Sequence, residues 1–292
     1  LVLLFVGFFT VSTLTPGDSH KSLIMVYIFY GVFGGSGVGF AYNAVVTTIT
    51  RWFPDKTGLA TGIMLMGFGI GGLALGSAVN SMIGSMGIFS TFRVLSIAIA
   101  VVLLLGILII KAPEAPAASN VSAAADEEEE DGNPYHKKNY TSGEMLRSGR
   151  FWVFMAWTIV LNSAGLLVIN SAANISVAYG GTAVLGLIIS LFNGIGRIIA
   201  GNNFDKFGRK ITMTVNNIFY LIAAVLLIFG GKADNLPMVI IGLIFVGMAY
   251  GGTPTISSTY TNKAFGPKYF ATNFSIANFS LLPAAIIGPM MS

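Results

Sequence analysis

Arg197 is the side chain in this sequence best suited to binding a charged ligand. It is a lone charged residue in an apolar stretch that begins at Phe192. An arginine at the centre of a hydrocarbon layer costs about 2.5 kcal/mol or more, so it persists where it faces water or a counter-charge. Its planar guanidinium matches a carboxylate through two parallel hydrogen bonds. Two interpretations stay open. Arg197 binds an anion, or it extends toward the helix end, where Asp205 lies eight residues (about 12 Å) ahead.

A short charged segment, Gly201–Lys210, follows the apolar stretch directly. It fits the pattern G-x-x-x-D-x-x-G-R-[KR], in which Gly201, Asp205, Gly208 and Arg209 occupy fixed positions. An acid and bases a few residues apart at a helix end can pair in one conformation and separate in another. They can also simply anchor positive charge on one side of a membrane. The segment predicts a turn between two helices, and neither interpretation makes its residues ligands of a substrate.

The composition predicts a helical membrane protein. Of the 292 residues, 54% are hydrophobic and 10% are charged, against about 25% charged in soluble domains. Apolar runs near 20 residues long recur, whereas the alternating strands of a membrane barrel do not. The predicted membrane spans lie at roughly 1–15, 22–48, 57–83, 91–111, 150–174, 181–203, 211–230, 236–261 and 269–290.

The residue inventory excludes several chemistries. The chain has no cysteine, and its two histidines, His20 and His136, fall in separate loops, so we expect no metal site and no cofactor. No predicted span carries a His, Asp and Glu cluster or a nucleophile beside a base, so we do not expect an enzyme. In a membrane protein, the side on which the charges lie matters more than their sum. We therefore do not interpret the net charge of +4 as a sign of nucleic-acid binding, and we expect no nucleic-acid partner.

One long hydrophilic segment, 113–149, divides the spans into two groups, 1–112 and 150–292. It is rich in Ala, Pro and Ser, then acidic, then basic, which predicts a disordered cytoplasmic linker with an amphipathic end near Met145. One set of loops carries 12 Lys and Arg residues and the other carries 3. The positive-inside rule therefore places the linker in the cytoplasm. We expect the spans to lie in the plasma (inner) membrane.

An internal repeat relates the two groups of spans. Val38–Tyr42 recurs as Val246–Tyr250, and both fall in spans with the same predicted direction. Two similar helical halves joined by a cytoplasmic linker are typical of secondary transporters. Glycines four residues apart, such as Gly67 and Gly71, predict stripes along which helix backbones approach closely.

The segment Gly201–Lys210 also resembles the loop signature of the major facilitator superfamily. A narrower resemblance is to the oxalate/formate antiporter family within it. That resemblance rests on Gly37–Asn43, Arg51–Lys56, Gly58–Ala60, Gly67–Gly69, Tyr140–Leu146 and Phe151–Trp152. It covers most of the chain, as spans three to eleven of a twelve-helix carrier, so we expect a fragment without its terminal helices. It implies the major facilitator fold of two pseudo-repeated six-helix halves. It also implies that Asp205 and Arg209 belong to a charge network that closes the cytoplasmic side.

The same resemblance indicates where an anion would bind. In that family the site is built around a basic residue of span eight, matched here by Asn193–Arg197, and in the oxalate exchanger by a lysine of span eleven. The last span, Phe270–Pro289, contains no lysine, which favours a monocarboxylate over oxalate. The related monocarboxylate transporters carry an acid four residues before this arginine. Asn193 stands there, so proton coupling through an acid–arginine pair is not supported.

Four more polar residues are candidates for the wall of the binding cavity: Tyr42, Asn43, Tyr250 and Thr253. A tyrosine hydroxyl can donate to a carboxylate while its ring forms an apolar wall. Hydrogen bonding between helices is the alternative use of these side chains.

We therefore predict a secondary active transporter of small organic anions that works by alternating access and by exchange. Arg197 would bind the carboxylate of the substrate. The expected partners are the anion and the lipid bilayer, and we expect a monomer. One rival is a proton-coupled monocarboxylate symporter. The other, from a different class, is a non-transporting membrane sensor or assembly protein.

Overall fold

The computed structural model describes residues 1–14, 19–111 and 138–291. This described part consists of helices and turns and holds no β-strand. The helices are α1 Val2–Ser12, α2 Ser19–Met25, α3 Gly35–Trp52, α4 Thr57–Ile109, α5 Ser142–Arg147, α6 Gly149–Ala178, α7 Ala183–Gly186, α8 Ile188–Lys232, α9 Leu236–Phe265, α10 Phe270–Asn278 and α11 Leu281–Met290. A π-helical segment, Val26–Gly34, joins α2 to α3. Helices satisfy their own backbone polar groups, which is what a lipid environment demands.

Two of the helices, α4 and α8, are each interrupted by a glycine. Helix α8 is 45 residues long, and a straight helix of that length would be about twice as long as the hydrocarbon layer is thick. Gly208 breaks it with φ 72° and ψ −176°, and Gly87 breaks α4 with φ 78° and ψ 166°. Glycine adopts this left-handed backbone without the steric cost of a Cβ atom. The turn predicted at Gly208 is therefore present, and α8 divides into 188–207 and 209–232.

Six helices in the described part of the chain are long and apolar enough to cross a membrane. The other three of the nine predicted spans lie on α1, on the first half of α4 and on the second half of α8. The helix boundaries thus follow the predicted spans closely. The predicted class, an all-α polytopic membrane protein, is confirmed.

Two compact units divide the chain. One consists of Leu1–Thr48 and Ala74–Pro113, and the other consists of Ile49–Leu73 and Glu114–Ser292. The start of α4 therefore packs with the later helices, although it precedes them by more than 100 residues in the sequence.

Three aromatic side chains from separate helical segments meet in the first unit. The ring of Phe8 in α1 lies 5.3 Å from that of Tyr30 and 5.7 Å from that of Phe92. Tyr30 and Phe92 also meet edge to face at 5.7 Å. Such aromatic pairs contribute about 0.5–1.5 kcal/mol each beyond the area they bury.

In the second unit, glycines of α4 bring its backbone against the first half of α8. A Cβ atom on Gly58 would lie 2.5 Å from the carbonyl oxygen of Gly201. Further along α4, a Cβ on Gly62 would collide with the carbonyl of Arg197, and one on Gly69 with the backbone nitrogen of Gly194. These contacts are backbone to backbone, so a side chain at any of these glycines forces the helices apart.

Helix α9 approaches the same half of α8 in the same way. A Cβ atom on Gly247 would lie 2.6 Å from the carbonyl oxygen of Ile189, and one on Gly251 would collide with the carbonyl of Asn193. The first half of α8 is thus in backbone contact with two helices.

The glycine stripe predicted from four-residue spacing is wrong for Gly67 and Gly71. At both positions an added Cβ atom would meet no described atom within 4 Å outside its own helix. Gly58, Gly62 and Gly69 make the contacts instead. Spacing along a helix identifies glycines that share a face, but the rotation of the helix decides which face meets a neighbour.

Residues 138–149, the end of the predicted linker, are folded against the ends of α9 and α10. The backbone nitrogen of Tyr140 donates to the carbonyl of Phe265 at 2.9 Å, and Asn273 Nδ2 donates to the carbonyl of Tyr140 at 2.9 Å. The backbone nitrogen of Lys268 donates to Asn139 Oδ1 at 3.2 Å. Residues 113–137 of that linker prediction lie outside the described residues.

Helix α5 begins with a capping box and buries one side chain. Thr141 accepts from the backbone of Glu144, and Glu144 accepts from the backbone of Thr141. Met145 is fully buried in a cluster that includes Phe151, so the amphipathic end predicted near Met145 is present. A hydrogen bond from Lys138, followed by those from Thr141, lowers the pKa of Glu144 to about 2, so this carboxylate is ionised at neutral pH.

Substitution of the contact glycines tests this packing. Gly69→Ala places a methyl group against the backbone of α8, so we expect a loss of about 1–3 kcal/mol in stability. Gly71→Ala, two residues away in the same helix, meets open space and should be neutral or stabilising by up to about 1 kcal/mol. Thermal unfolding of the purified full-length protein in detergent measures both. Equal melting temperatures for the two variants would contradict the assigned helix face.

Candidate functional site

Arg197 lies inside the second unit, in the first half of α8. Its side chain is only 7% exposed. Its Nε donates to Asn193 Oδ1 at 3.0 Å, and Asn193 is itself buried. The side chain thus bonds one turn back toward the start of α8, whereas Asp205 lies two turns ahead. The geometry favours a fixed, buried guanidinium over one that extends to the helix end.

Tyr250 of α9 is the second predicted site residue near this charge. Its helix is in backbone contact with α8 beside Arg197, where a Cβ atom on Gly196 would collide with the backbone of Met248. Its ring packs against α6 at Gly165, where any Cβ atom would overlap the ring. Gly165 therefore leaves the space that the Tyr250 ring occupies, and a larger residue there would push the ring away from its present position.

Thr253 is fully buried, and its hydroxyl is already used within the protein. Its Oγ1 donates to the carbonyl of Ala249 at 3.0 Å and accepts from Asn216 Nδ2 at 3.2 Å. Of the two uses left open by the sequence, hydrogen bonding between helices is therefore the one observed for Thr253.

Tyr42 and Asn43 lie in α3 and belong to the first compact unit. Both are partly buried, and Asn43 Oδ1 accepts from the hydroxyl of Thr47 at 3.4 Å. Four of the six predicted binding residues, namely Asn193, Arg197, Tyr250 and Thr253, lie together on α8 and α9.

Three residues near the site were missed by sequence reasoning: Gly165, Asn216 and Tyr220. Tyr220 donates to the carbonyl of Leu161 at 2.8 Å, and Asn216, one turn before it, holds Thr253. The available signal was polarity, because both stand four residues apart in an apolar span, as Asn193 and Arg197 do. Gly165 carried no such signal, since only the position of a distant ring explains it.

Asp205 holds the start of α4. Its two carboxylate oxygens accept from the backbone nitrogens of Gly58, at 3.1 Å, and of Leu59, at 2.8 Å. The first N–H groups of a helix have no partner within the helix, and the helix dipole favours a negative charge beside them. Asp205 therefore caps a helix that lies about 147 residues away in the sequence.

Lys263 completes this arrangement from the end of α9. Its Nζ donates to Asp205 Oδ1 at 3.2 Å, in an ion pair whose carboxylate is 10% exposed. We call Asp205, Gly58, Leu59 and Lys263 the Asp205 junction. Arg209, which was expected in the same charge network, has its guanidinium over the ring of Tyr260 at 5.6 Å.

The two ends of the first half of α8, residues 188–207, carry groups with different chemistry. The Arg197 end presents a buried cation fixed through Nε, and a guanidinium is a group that suits a carboxylate. The Asp205 end joins three helices through one carboxylate. The described residues hold no group of three or more His, Cys, Asp or Glu side chains that could bind a metal ion.

Comparison with known proteins identifies several relatives of this chain. The chain is 30% identical over 280 residues to the oxalate:formate antiporter of Oxalobacter formigenes, which is 93% of this chain and 62% of that protein. It is 24% identical over 282 residues to an uncharacterized MFS-type transporter of Escherichia coli K12, covering 94% of this chain and 65% of that protein. It is 29% identical over 267 residues to an uncharacterized 38 kDa protein of Thermoproteus tenax, covering 90% of this chain and 60% of that protein.

The chain thus spans less than two thirds of the length of these three relatives. Residues 1–289 match the family described as Major Facilitator Superfamily. Since this match covers almost every residue, the protein belongs to the Major Facilitator Superfamily.

Proposed function

We propose that this protein is a secondary active transporter that exchanges small carboxylates across the membrane by alternating access. The observation that carries the proposal is the buried guanidinium of Arg197, 7% exposed and fixed by Asn193 in the first half of α8. A cation retained in a membrane-spanning helix is costly and marks a functional site by default. A bound carboxylate would offset that cost through charge-assisted hydrogen bonds.

Each residue around Arg197 has a separate part in the proposed site. Asn193 fixes the plane of the guanidinium through Nε, so the terminal nitrogens present a defined edge to the anion. Tyr250 supplies a hydroxyl donor and an apolar ring beside it. We also propose Tyr42 and Asn43 of the repeated helix α3 as substrate-binding residues.

Exchange of a monocarboxylate is the mode and substrate we infer. The relative from Oxalobacter formigenes is by name an antiporter of oxalate and formate. The stretch Phe270–Met290 holds no lysine or arginine, so a second cation for a dianion is missing there. We therefore propose formate or a similar small monocarboxylate.

The membrane arrangement follows from the distribution of charge. We propose two helical halves, 1–112 and 150–292, joined by the segment 113–149 at the cytoplasmic face of the plasma (inner) membrane. The loops on that side carry 12 Lys and Arg residues against 3 on the other. We propose a monomer, and the Asp205 junction then lies at the cytoplasmic end of the first half of α8.

At that end the Asp205 junction would act as a latch. The carboxylate holds the first turn of α4 and the last turn of α9 against α8, so the cytoplasmic ends of three helices stay together. Gly201 permits the backbone contact, and Gly208 permits the turn that follows. Separation of α4 from α8 would break the contacts of Asp205 with Gly58 and Leu59 and open the cytoplasmic side.

Counterflow of radiolabelled formate in proteoliposomes of the full-length protein tests the role of Arg197. Arg197→Gln removes the charge and the paired donors, so we expect exchange to fall by at least about tenfold, the value of one charge-assisted hydrogen bond. Lys206→Gln, an exposed cation of the same helix, is the matched control and should exchange normally. A folded Arg197→Gln protein that exchanges formate within twofold of the unsubstituted protein would overturn the site.

Asn193→Asp tests whether the substrate binds beside Arg197. The new carboxylate would lie about 3 Å from Arg197 Nε and compete with the substrate. We expect exchange to fall at neutral pH and to recover as the pH is lowered, because protonation removes the competing charge.

A separate measurement on the unsubstituted protein distinguishes exchange from proton symport. Symport would appear as concentrative formate uptake driven by an imposed pH gradient, without any anion inside the vesicles.

Asp205→Asn tests the latch. Loss of the ion pair with Lys263 and weaker acceptance from two backbone nitrogens should destabilise the described conformation by about 1–3 kcal/mol. Asp55→Asn, an exposed acid just before α4, is the control. Thermal unfolding and formate exchange are measured for both variants, and indistinguishable results for Asp205→Asn and Asp55→Asn would refute the latch.

A further inference from the structure

Buried hydroxyl groups without hydrogen-bond partners occupy both helices that flank α8. In α4 they belong to Thr57 and Thr61, which are 2% and 0% exposed. In the last turns of α9 they belong to Ser257, Ser258 and Thr261, which are 5%, 0% and 0% exposed. Unsatisfied buried polar atoms are rare in proteins, and each one requires an explanation.

Other serine and threonine residues near these hydroxyls are satisfied, although the buried hydroxyl of Thr255 in α9 is also without a partner. A hydroxyl in a helix can donate to the carbonyl one turn back. Thr253 and Thr259 of α9 do so at 3.0 and 2.9 Å, and Ser163 of α6 does so at 2.8 Å. The five unpartnered hydroxyls point elsewhere, although the same kind of acceptor lies one turn away in their own helix.

The two sets of hydroxyls lie between the Arg197 site and the Asp205 junction. On α4, Gly58 contacts Asp205 and Gly62 contacts the backbone of Arg197. Thr57 and Thr61 precede these glycines by one residue each, so they occupy the same two levels of the helix. One turn separates them, which places them on one helix face.

The hydroxyls of α9 also lie between the level of Arg197 and the level of Asp205. Gly251 of α9 meets the backbone of Asn193, one turn from Arg197, and Lys263 bonds Asp205. Ser257, Ser258 and Thr261 fall between these two residues of α9, and their spacings of three and four place them on one face. Because Gly58 N and Lys263 Nζ both donate to Asp205 Oδ1, the ends of α4 and α9 converge there.

We propose that these five hydroxyls line the cytoplasmic path of the carboxylate, between the Arg197 site and the Asp205 junction. The inference rests on the proposed transport of carboxylates. A permanent helix contact would be served equally by Ala and Val, which bury no polar atom. Once α4 and α9 separate, water and a passing carboxylate can satisfy the hydroxyls as both donors and acceptors.

The unsatisfied hydroxyls also oppose the stabilisation that the Asp205 junction gives to the closed arrangement. Hydroxyls buried without partners raise the free energy of the closed arrangement, whereas the contacts of Asp205 lower it. Opposing terms of similar size keep the two conformations close in free energy, so that a ligand can shift their populations.

Cysteine accessibility tests the path, because these 292 residues contain no cysteine. Ser258→Cys and Thr261→Cys are made in the full-length protein, with any cysteine outside these residues replaced by serine. A membrane-impermeant thiol reagent is added to inside-out vesicles. Thr259→Cys is the control, since Thr259 is equally buried but its hydroxyl is satisfied. We expect labelling at Ser258 and Thr261 at least about fivefold faster than at Thr259. Equal labelling at all three positions, or at none, would overturn the path.

Variants of similar shape give a second measurement that needs no reactive group. Thr61→Val and Ser258→Ala remove unsatisfied hydroxyls, so we expect a higher melting temperature and slower formate exchange. Thr259→Val should show neither effect, and a melting temperature that falls in the first two variants would count against the path. The labelling requires no transported substrate. A protein that labels as expected but exchanges no carboxylate would therefore refute the proposed function and leave the path intact.

Discussion

Backbone contact between α8 and the two helices beside it is the constraint on which the second unit depends. Gly58, Gly62 and Gly69 of α4 meet one side of 188–207, and glycines of α9 meet the other. No side chain separates these backbones, so small shifts cannot be absorbed by rotamer changes. The contact confines Arg197 within the unit and brings Asp205 within hydrogen-bond distance of the start of α4.

Arg197 and Asp205 are eight residues apart on one uninterrupted half-helix, about 12 Å along its axis. Because the same stretch of α4 covers both, any movement that frees the contacts of Asp205 also uncovers the backbone beside Arg197. Under the proposed function, this shared neighbour would couple an occupied anion site to an open cytoplasmic end. The unsatisfied hydroxyls of α4 and α9 lie in the stretch that such a movement would expose to water.

The features that could be predicted from the sequence are those that depend on the local pattern of residues. Apolar periodicity located the helices, the glycine pattern located the turn at Gly208, and isolation in an apolar run marked Arg197. Lys263 was not identified as the partner of Asp205, because 58 residues separate them and many loop cations were equivalent candidates. The glycine face of α4 and the use of Thr253 by Asn216 likewise depend on how helices rotate against their neighbours, which spacing within one helix does not encode.

The most direct test of coupling between the two ends of this half-helix is a distance measured across the junction. Spin labels at Lys56 and Lys268, both exposed, report the separation of the start of α4 from the end of α9 by double electron–electron resonance in the full-length protein. Formate should redistribute the populations of short and long distances, and Arg197→Gln should abolish that response. A distance distribution that formate leaves unchanged, or that responds equally in Arg197→Gln, would contradict the coupling of the Arg197 site to the Asp205 junction.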